Sequence, residues 1–324
     1  MSAMPLLLVH PGTHGVAMYA QDMAAAVRAA HPAIRIVSPD GLDAEGGRTP
    51  VHVHFTDRLW GGSPEEAAAA FAALAASRPV SVTLHDVPQA SDGERNLPRR
   101  RAAYASVAGA ARGVVVNSEH ERALLVEEGV WSGPVVSIPL PVALLSDLQR
   151  MPPDRSVGVL GFFYPGKGHD EAARAAAAAG IPRMTVLGRA SDGHAEELEA
   201  FVRGAGALGV EVEVTGWLED AEIARRGRAV SVPVIAHRHV SASGSLASWI
   251  SWGRRPVAVR NRYMDEMAAL RPGTLRTVDE PGLAVAVREA FEQPDSTWHD
   301  LTRLPMAWPE AADAYVRWWD GLDA

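Results

Sequence analysis

Short apolar runs alternate along the chain with longer stretches in which apolar residues recur every three or four positions. Residues 6–10 form a run of the kind that makes a buried strand, 11–15 a glycine- and proline-bearing turn, and 16–30 an amphipathic helix. Val51–Phe55, Val80–Leu84, Gly113–Val116 and residues 135–138 read as further strands. Between them lie predicted helices over Pro64–Ser77, which has proline in its first turn, and around 99–108. Strand and helix repeated in this way imply a parallel sheet covered on both faces.

Pro139, Pro141, Pro152 and Pro153 then break the rhythm, and the border between two domains is expected there. Beyond it the alternation restarts. Strands are predicted at Val157–Leu160, 184–187, 210–214, 229–232 and 256–259, with helices at 170–179, 195–208, 220–226 and 246–252. Near the end, Tyr315, Trp318, Trp319 and Leu322 fall on one face of a helix. The fold class this predicts is α/β, with two Rossmann-like doubly wound parallel-sheet domains facing a central cleft. In such sheets ligands bind beyond the carboxyl ends of the strands, so the loops there are where chemistry is expected.

Composition narrows the function. A chain of 324 residues has room for two cores. Its formal charge of −8 argues against nucleic-acid binding, which needs a basic surface. No apolar run is long enough to span a membrane. The first apolar stretch is shorter than a secretory signal requires, so a cytoplasmic location is expected. Cysteine is absent, which removes disulfides, thiolate metal sites and a cysteine nucleophile. The basic run Arg99, Arg100 and Arg101 is either a solvated helix face or a transient contact with an anionic acceptor or membrane surface. Of 31 basic residues only Lys167 is a lysine, which singles out a position where the planar fork of arginine does not serve.

Three segments carry candidate chemistry. The first is the strand Val157–Leu160 followed by Gly161-Phe162-Phe163-Tyr164-Pro165-Gly166-Lys167-Gly168 and a helix. A flexible loop at a helix N-terminus presents free N–H groups and a positive dipole end, which suits phosphate, and Lys167 adds a point charge. A plain strand-to-helix turn reads the same way. The second is Ser243-Gly244-Ser245-Leu246, which is either an N-cap or a second phosphate cradle. The third is Thr83-Leu84-His85-Asp86, where a strand-end histidine either projects towards a ligand or is structural. His52 and His54 share a strand face but lack a third metal ligand nearby, so no metal site is expected.

Taken in order, these segments resemble the retaining GT-B glycosyltransferases of the large group called family four. The turn at Gly12–Gly15 resembles that family's first loop, Thr83–Asp86 its acceptor-domain histidine segment, and Val114–Arg122 the segment before the linker. Gly161–Gly168 resembles the phosphate loop, Val214–Leu218 the loop before the nucleotide base, and Ala242–Val257 the helix under the donor. Residues from Trp308 to Leu322 are similar to the helix that crosses back onto the first domain. Two departures stand out. Phe162 occupies the place of the family's phosphate-loop arginine, and its paired glutamates fall near Val240 and Ser248, neither of them acidic. Arg189 and Arg238 are the candidates to supply the missing charge.

The resemblance implies an acceptor-binding domain over 1–150 with a returning helix at 308–324, and a donor-binding domain over 151–307. It implies a hexosyltransferase-like enzyme that moves a sugar from a nucleoside-diphosphate sugar with retention and without a metal or other cofactor. A UDP-sugar is favoured slightly over a GDP-sugar as co-substrate. His85 and Lys167 are the implied catalytic residues. Gly15, Gly161, Lys167, Arg189, Trp217, Ser243, Gly244, Ser245 and Leu246 are implied on the donor side, and Thr13, His14, His54 and Asp86 on the acceptor side. A sugar-nucleotide epimerase or hydrolase of the same fold, or a non-catalytic sugar-nucleotide-binding partner, are the alternatives.

Overall fold

In the computed structural model, which describes residues 4–46, 48–146 and 149–322, the alternating pattern becomes two compact α/β units. The first contains β1 (Leu6–Leu8), α1 (Gly15–Ala30), β2 (Ile36–Val37), β3 (Val51–Phe55), α2 (Asp57–Trp60), α3 (Pro64–Ser77), β4 (Val80–Leu84), α4 (Gly93–Ala110), β5 (Gly113–Val116), α5 (Glu119–Glu127) and β6 (Val136–Ser137). The second contains β7 (Val157–Leu160), α6 (His169–Ala179), β8 (Arg183–Leu187), α7 (Ala195–Ala207), β9 (Glu211–Val214), α8 (Asp220–Ala229), β10 (Val232–Ile235), α9 (Gly244–Ser251), β11 (Val257–Val259), α10 (Arg262–Leu270), β12 (Arg276–Val278) and α11 (Leu283–Glu292). The closing helix α12 (Trp308–Leu322) belongs to the first unit; residues 323 and 324 of the expected helix lie outside the described residues.

Each unit is built on a six-stranded sheet, ordered β2-β1-β3-β4-β5-β6 in the first and β12-β11-β10-β7-β8-β9 in the second. Every pairing is parallel. In the first sheet Val51, Val53 and Phe55 alternate with His52 and His54, and all five are buried. The apolar set packs on Phe71 of α3 and Tyr104 of α4. The polar set lies on the face covered by α12, where the rings of His52 and His54 meet Tyr315. Helix α12 is drawn down by Tyr315 and Trp319, both buried. A side chain at Gly113 would collide with Trp318 and Leu322, so the close approach of this helix to β5 depends on that glycine.

The second unit begins at Val142, earlier than the expected border at 150, and residues 147 and 148 of the proline-rich segment lie outside the described residues. The reason is packing. Val142 and Leu144 enter the core formed by Trp249, Ile250 and Trp252, and Ser251 Oγ donates to the carbonyl of Ala143. A second difference concerns residues 229–232, expected as strand. Helix α8 continues to Ala229, and β10 occupies Val232–Ile235. The buried Arg254 guanidinium sits at the C-terminus of α8 and donates to the carbonyls of Gly227, Arg228, Val230 and Ser231. A fixed cation there completes the last turn of the helix and opposes the negative end of its dipole. Among the described residues no helix is long and apolar enough to cross a membrane.

Candidate functional site

The order of the second sheet reverses between β10 and β7, and a crevice opens at such a point beyond the strand ends. The loop after β7 and the loop after β10 flank it. They are clasped together: Arg238 N–H donates to the carbonyl of Gly166 at 3.1 Å, and a Cβ at Gly168 would stand 2.4 Å from the carbonyl oxygen of Ala236. Gly161, Gly166 and Gly168 all have positive φ, so the chain can turn within a few residues and enter α6. No side chain caps the start of α6, which leaves its first N–H groups open to an anion.

Lys167 folds back over this loop. A Cβ at Gly161 would lie 3.4 Å from Nζ, so the ammonium rests above a bare backbone. Among the described residues nothing hydrogen-bonds to Nζ or pairs with it, apart from the Tyr164 ring, whose centroid is 5.8 Å away. Burial brings the Lys167 pKa down to about 8. His169, at the first position of α6, is buried with neither ring nitrogen hydrogen-bonded. Burial, and secondarily Lys167, lowers its pKa to about 3; His237 is shifted the same way by burial and by both neighbours. The site therefore concentrates groups that would gain from an arriving negative charge.

The second cradle is only partly free. Ser243 Oγ caps α9 by accepting from the N–H of Leu246, and the Leu246 side chain is core. Both residues, expected as donor contacts, are thus committed to the fold. The Ser245 hydroxyl lies 3.1 Å from Ser243 Oγ, so what this helix start leaves open is the N–H groups of Gly244 and Ser245. Trp217 and Phe162 are exposed and neighbouring, with ring centroids 6.3 Å apart, and the Arg189 guanidinium lies 5.0 Å from the Phe162 ring. The Arg189 guanidinium thus lies beside Phe162, with Nη1 3.2 Å from Asp192 Oδ1. Arg238 is held by the buried Glu171. A charged cavity of about 400 Å³ lies at the opposite, N-terminal end of β7 and β8, and its Arg226 and Glu213 pair with each other.

In the first unit His54, His85 and Asp86 lie at the carboxyl ends of β3 and β4, while Thr13 and His14 lie in the loop between β1 and α1. His85 follows β4 directly, and its N–H donates to the carbonyl of Phe55 while Tyr104 Oη donates to its own carbonyl at 2.7 Å. Asp86 is held at φ +51°, a costly conformation for this residue, by Arg100 bonding its carbonyl and Thr56 its carboxylate. His54 Nδ1 lies 3.1 Å from His85 Nε2, and Tyr19 packs its edge on both rings. Burial lowers the His85 pKa to about 3, with His14 adding to the effect, and lowers that of His54 well below the usual range. His14 caps α1 through Nδ1, whereas Thr13 and Gly15 are exposed beside it. Gly15 thus lies in the first unit, apart in the chain from the other donor-side candidates.

The basic run is ion-paired, with the side chains of Arg99 and Arg101 each still 40% exposed. Arg100 is buried between Asp57 and Asp92, Arg99 pairs with Glu65, and Arg101 pairs with Glu128. Arg100 accordingly offers no free charge to a surface. Its pairing with Asp57 joins positions 43 residues apart, which the sequence does not show, whereas Asp92 lies only eight residues away.

No protein-family model matches the chain, and no curated protein sequence matches it. Solved structures do. The sucrose-phosphate synthase of Thermosynechococcus elongatus superposes with a TM-score of 0.73 over 99% of both chains at 16% identity. HepE of Anabaena, in complex with UDP and glucose, gives 0.70 over 98% of this chain and 100% of that one at 13% identity. A UDP-forming α,α-trehalose-phosphate synthase from Burkholderia xenovorans gives 0.60 over 97% of this chain and 81% of that one at 11% identity. These likenesses show a GT-B fold, the one the sequence motifs imply.

Proposed function

We propose that the chain is a glycosyltransferase that takes a sugar from a nucleoside-diphosphate sugar, UDP-linked before GDP-linked, and passes it to an acceptor with retention. The observation that carries this reading is Lys167: a half-buried ammonium with no acidic partner among the described residues, laid over Gly161 beside a helix N-terminus without a side-chain cap. A cation held without a counterion in a crevice at the switch point of a parallel sheet suits the diphosphate of a donor. The N–H groups of Gly244 and Ser245 and the guanidinium of Arg189 would share its charge, and Trp217 would flank the base. Their contribution would be to hold the donor and stabilise the leaving diphosphate, the largest charge that develops during transfer. His85, with Asp86 beside it, would meet the sugar or acceptor. The UDP bound in one similar structure and the UDP-forming activity named for another support a UDP-linked donor.

Incubation with UDP- and GDP-sugars, with nucleotide release followed with and without candidate acceptors, tests the proposal. Acceptor-dependent release is expected, and anomeric NMR of the product reads retention. A second reading, a sugar-nucleotide-binding partner without turnover, is favoured by Phe162 at the loop arginine's position and by Val240 and Ser248 where acids are expected. It predicts binding with no release under any acceptor.

A further inference from the structure

His52 and His54 face the same way from β3, yet they are used differently. His52 places Nδ1 3.0 Å from Ser81 Oγ and Nε2 3.1 Å from Thr83 Oγ1, and Thr83 continues to Tyr315 Oη at 2.9 Å. Hydroxyls rotate, so either tautomer of His52 is accommodated. His54 meets another ring. Its Nδ1 faces His85 Nε2 at 3.1 Å, both side chains are buried, and neither nitrogen can rotate away. An N···N contact this short needs one hydrogen between the rings: two would clash, and none would set two lone pairs against each other.

We infer that His54 is the positioning residue for His85, and that the two neutral imidazoles are locked in matched tautomers. If His54 carries its proton on Nδ1 and donates, His85 accepts at Nε2 and carries its own proton on Nδ1. If His85 donates from Nε2, then His54 carries its proton on Nε2 and His85 Nδ1 is a bare acceptor. The state of His54 therefore sets whether the other nitrogen of His85 donates to or accepts from a ligand hydroxyl. A proton gained at His54 Nε2, with the Nδ1 proton passed across the bond to His85 Nε2 and the proton on His85 Nδ1 lost, converts the first state to the second without net charge change. The surroundings favour neutral rings: Tyr19 and Tyr315 are uncharged neighbours, and His52 is a third imidazole that burial also keeps neutral. The backbone of His85 is fixed independently by Phe55 and Tyr104, so His54 has only the ring left to orient. His54, expected as an acceptor contact, then acts through His85 instead of touching the ligand.

The role of His85 in meeting a ligand rests on the proposed glycosyl transfer; the tautomer lock does not. Long-range ¹H–¹⁵N correlation on histidine-labelled full-length protein near pH 7.5 reads both tautomers directly. Both rings protonated on Nδ1, or both on Nε2, is the expected result. A mixed pair, or a ring exchanging freely between tautomers, overturns the inference whatever the enzyme does. His54→Leu should release His85 into a tautomer mixture and lower turnover at least about tenfold, with UDP affinity unchanged. His54→Asn, which can place a polar atom near the lost Nδ1, should restore one tautomer and most of the turnover. If His54→Leu retains wild-type turnover, or if both variants lose activity only as far as they lose folded protein, the positioning role is refuted. Absence of turnover in the wild type would count against the proposed transfer, while the tautomer measurement would still decide the lock.

Discussion

The polar face of the first sheet should make this unit acid-labile, and the size of the effect follows from two histidines. Burial holds the pKa of His52 and of His85 at about 3, against an ordinary value of 6.5. The folded state therefore binds fewer protons than the unfolded state at any pH between these limits. Stability rises with pH wherever the unfolded chain binds more protons, so the contribution is complete above about pH 7 and lost progressively as pH falls from 6.5 towards 3. Each unit of pKa difference corresponds to about 1.4 kcal/mol, so at pH 5 each histidine has cost about 2 kcal/mol. The pair removes about 4 kcal/mol, a large share of the 5–15 kcal/mol that roughly stabilises a whole domain. His54 is shifted in the same direction and adds to the loss. Hydrogen exchange of the β3 and β4 peptides, corrected for intrinsic rates, reads this unit separately from the other. Opening free energies should fall between pH 8 and pH 5, and His52→Gln should flatten the slope by about one proton. Equal protection at the two pH values, or an unaltered slope in the variant, would refute the argument.

Two further outcomes are expected. Gly168→Ala places a methyl against the Ala236 carbonyl at a residue with φ +93°, so thermal melts should show a loss of at least about 2 kcal/mol and calorimetry no nucleotide binding. Arg254→Met strips partners from the carbonyls at the end of α8 and should destabilise the second unit by about 3 kcal/mol or more in urea melts, with Arg254→Lys recovering little because one ammonium cannot span the same set.

The sheet architecture was legible because parallel strands buried on both faces leave continuous apolar runs, as at Val157–Leu160, and because glycines mark the turns beyond them. The glycine-rich loop after β7 was legible for the same reason, with Lys167 conspicuous among arginines. What escaped was set by partners distant in sequence. The alternation in Val51–Phe55 places His52 and His54 on one face, but only the register of β3 on β4 brings His85 to His54. Arg254 carries no sequence signal of its role, which is at a helix end 24 to 27 residues earlier. Helix α5 was missed although its signal was present: Ser118 followed by Glu121 is a capping pattern, and Ser118 Oγ does accept from the N–H of Glu121. Ser243 shows the converse. A hydroxyl at a helix start invites a phosphate reading, and here the fold has already used it.

The account stands on Lys167 as the cation that receives a donor diphosphate. Titration of UDP and GDP into the wild-type protein and into Lys167→Ala, by calorimetry at pH 7, tests it most directly. Burial depresses the pKa of Lys167 only to about 8, so the wild-type ammonium is largely charged under these conditions. A hydrogen bond to a charged group is worth about 1.5–3 kcal/mol, so the variant should bind roughly ten- to more than a hundredfold more weakly. Lys167→Arg should recover only part of this, since the planar fork must fit above Gly161 where Nζ now rests. Equal affinity of wild type and Lys167→Ala for both nucleotides, with both proteins folded, would contradict the central claim.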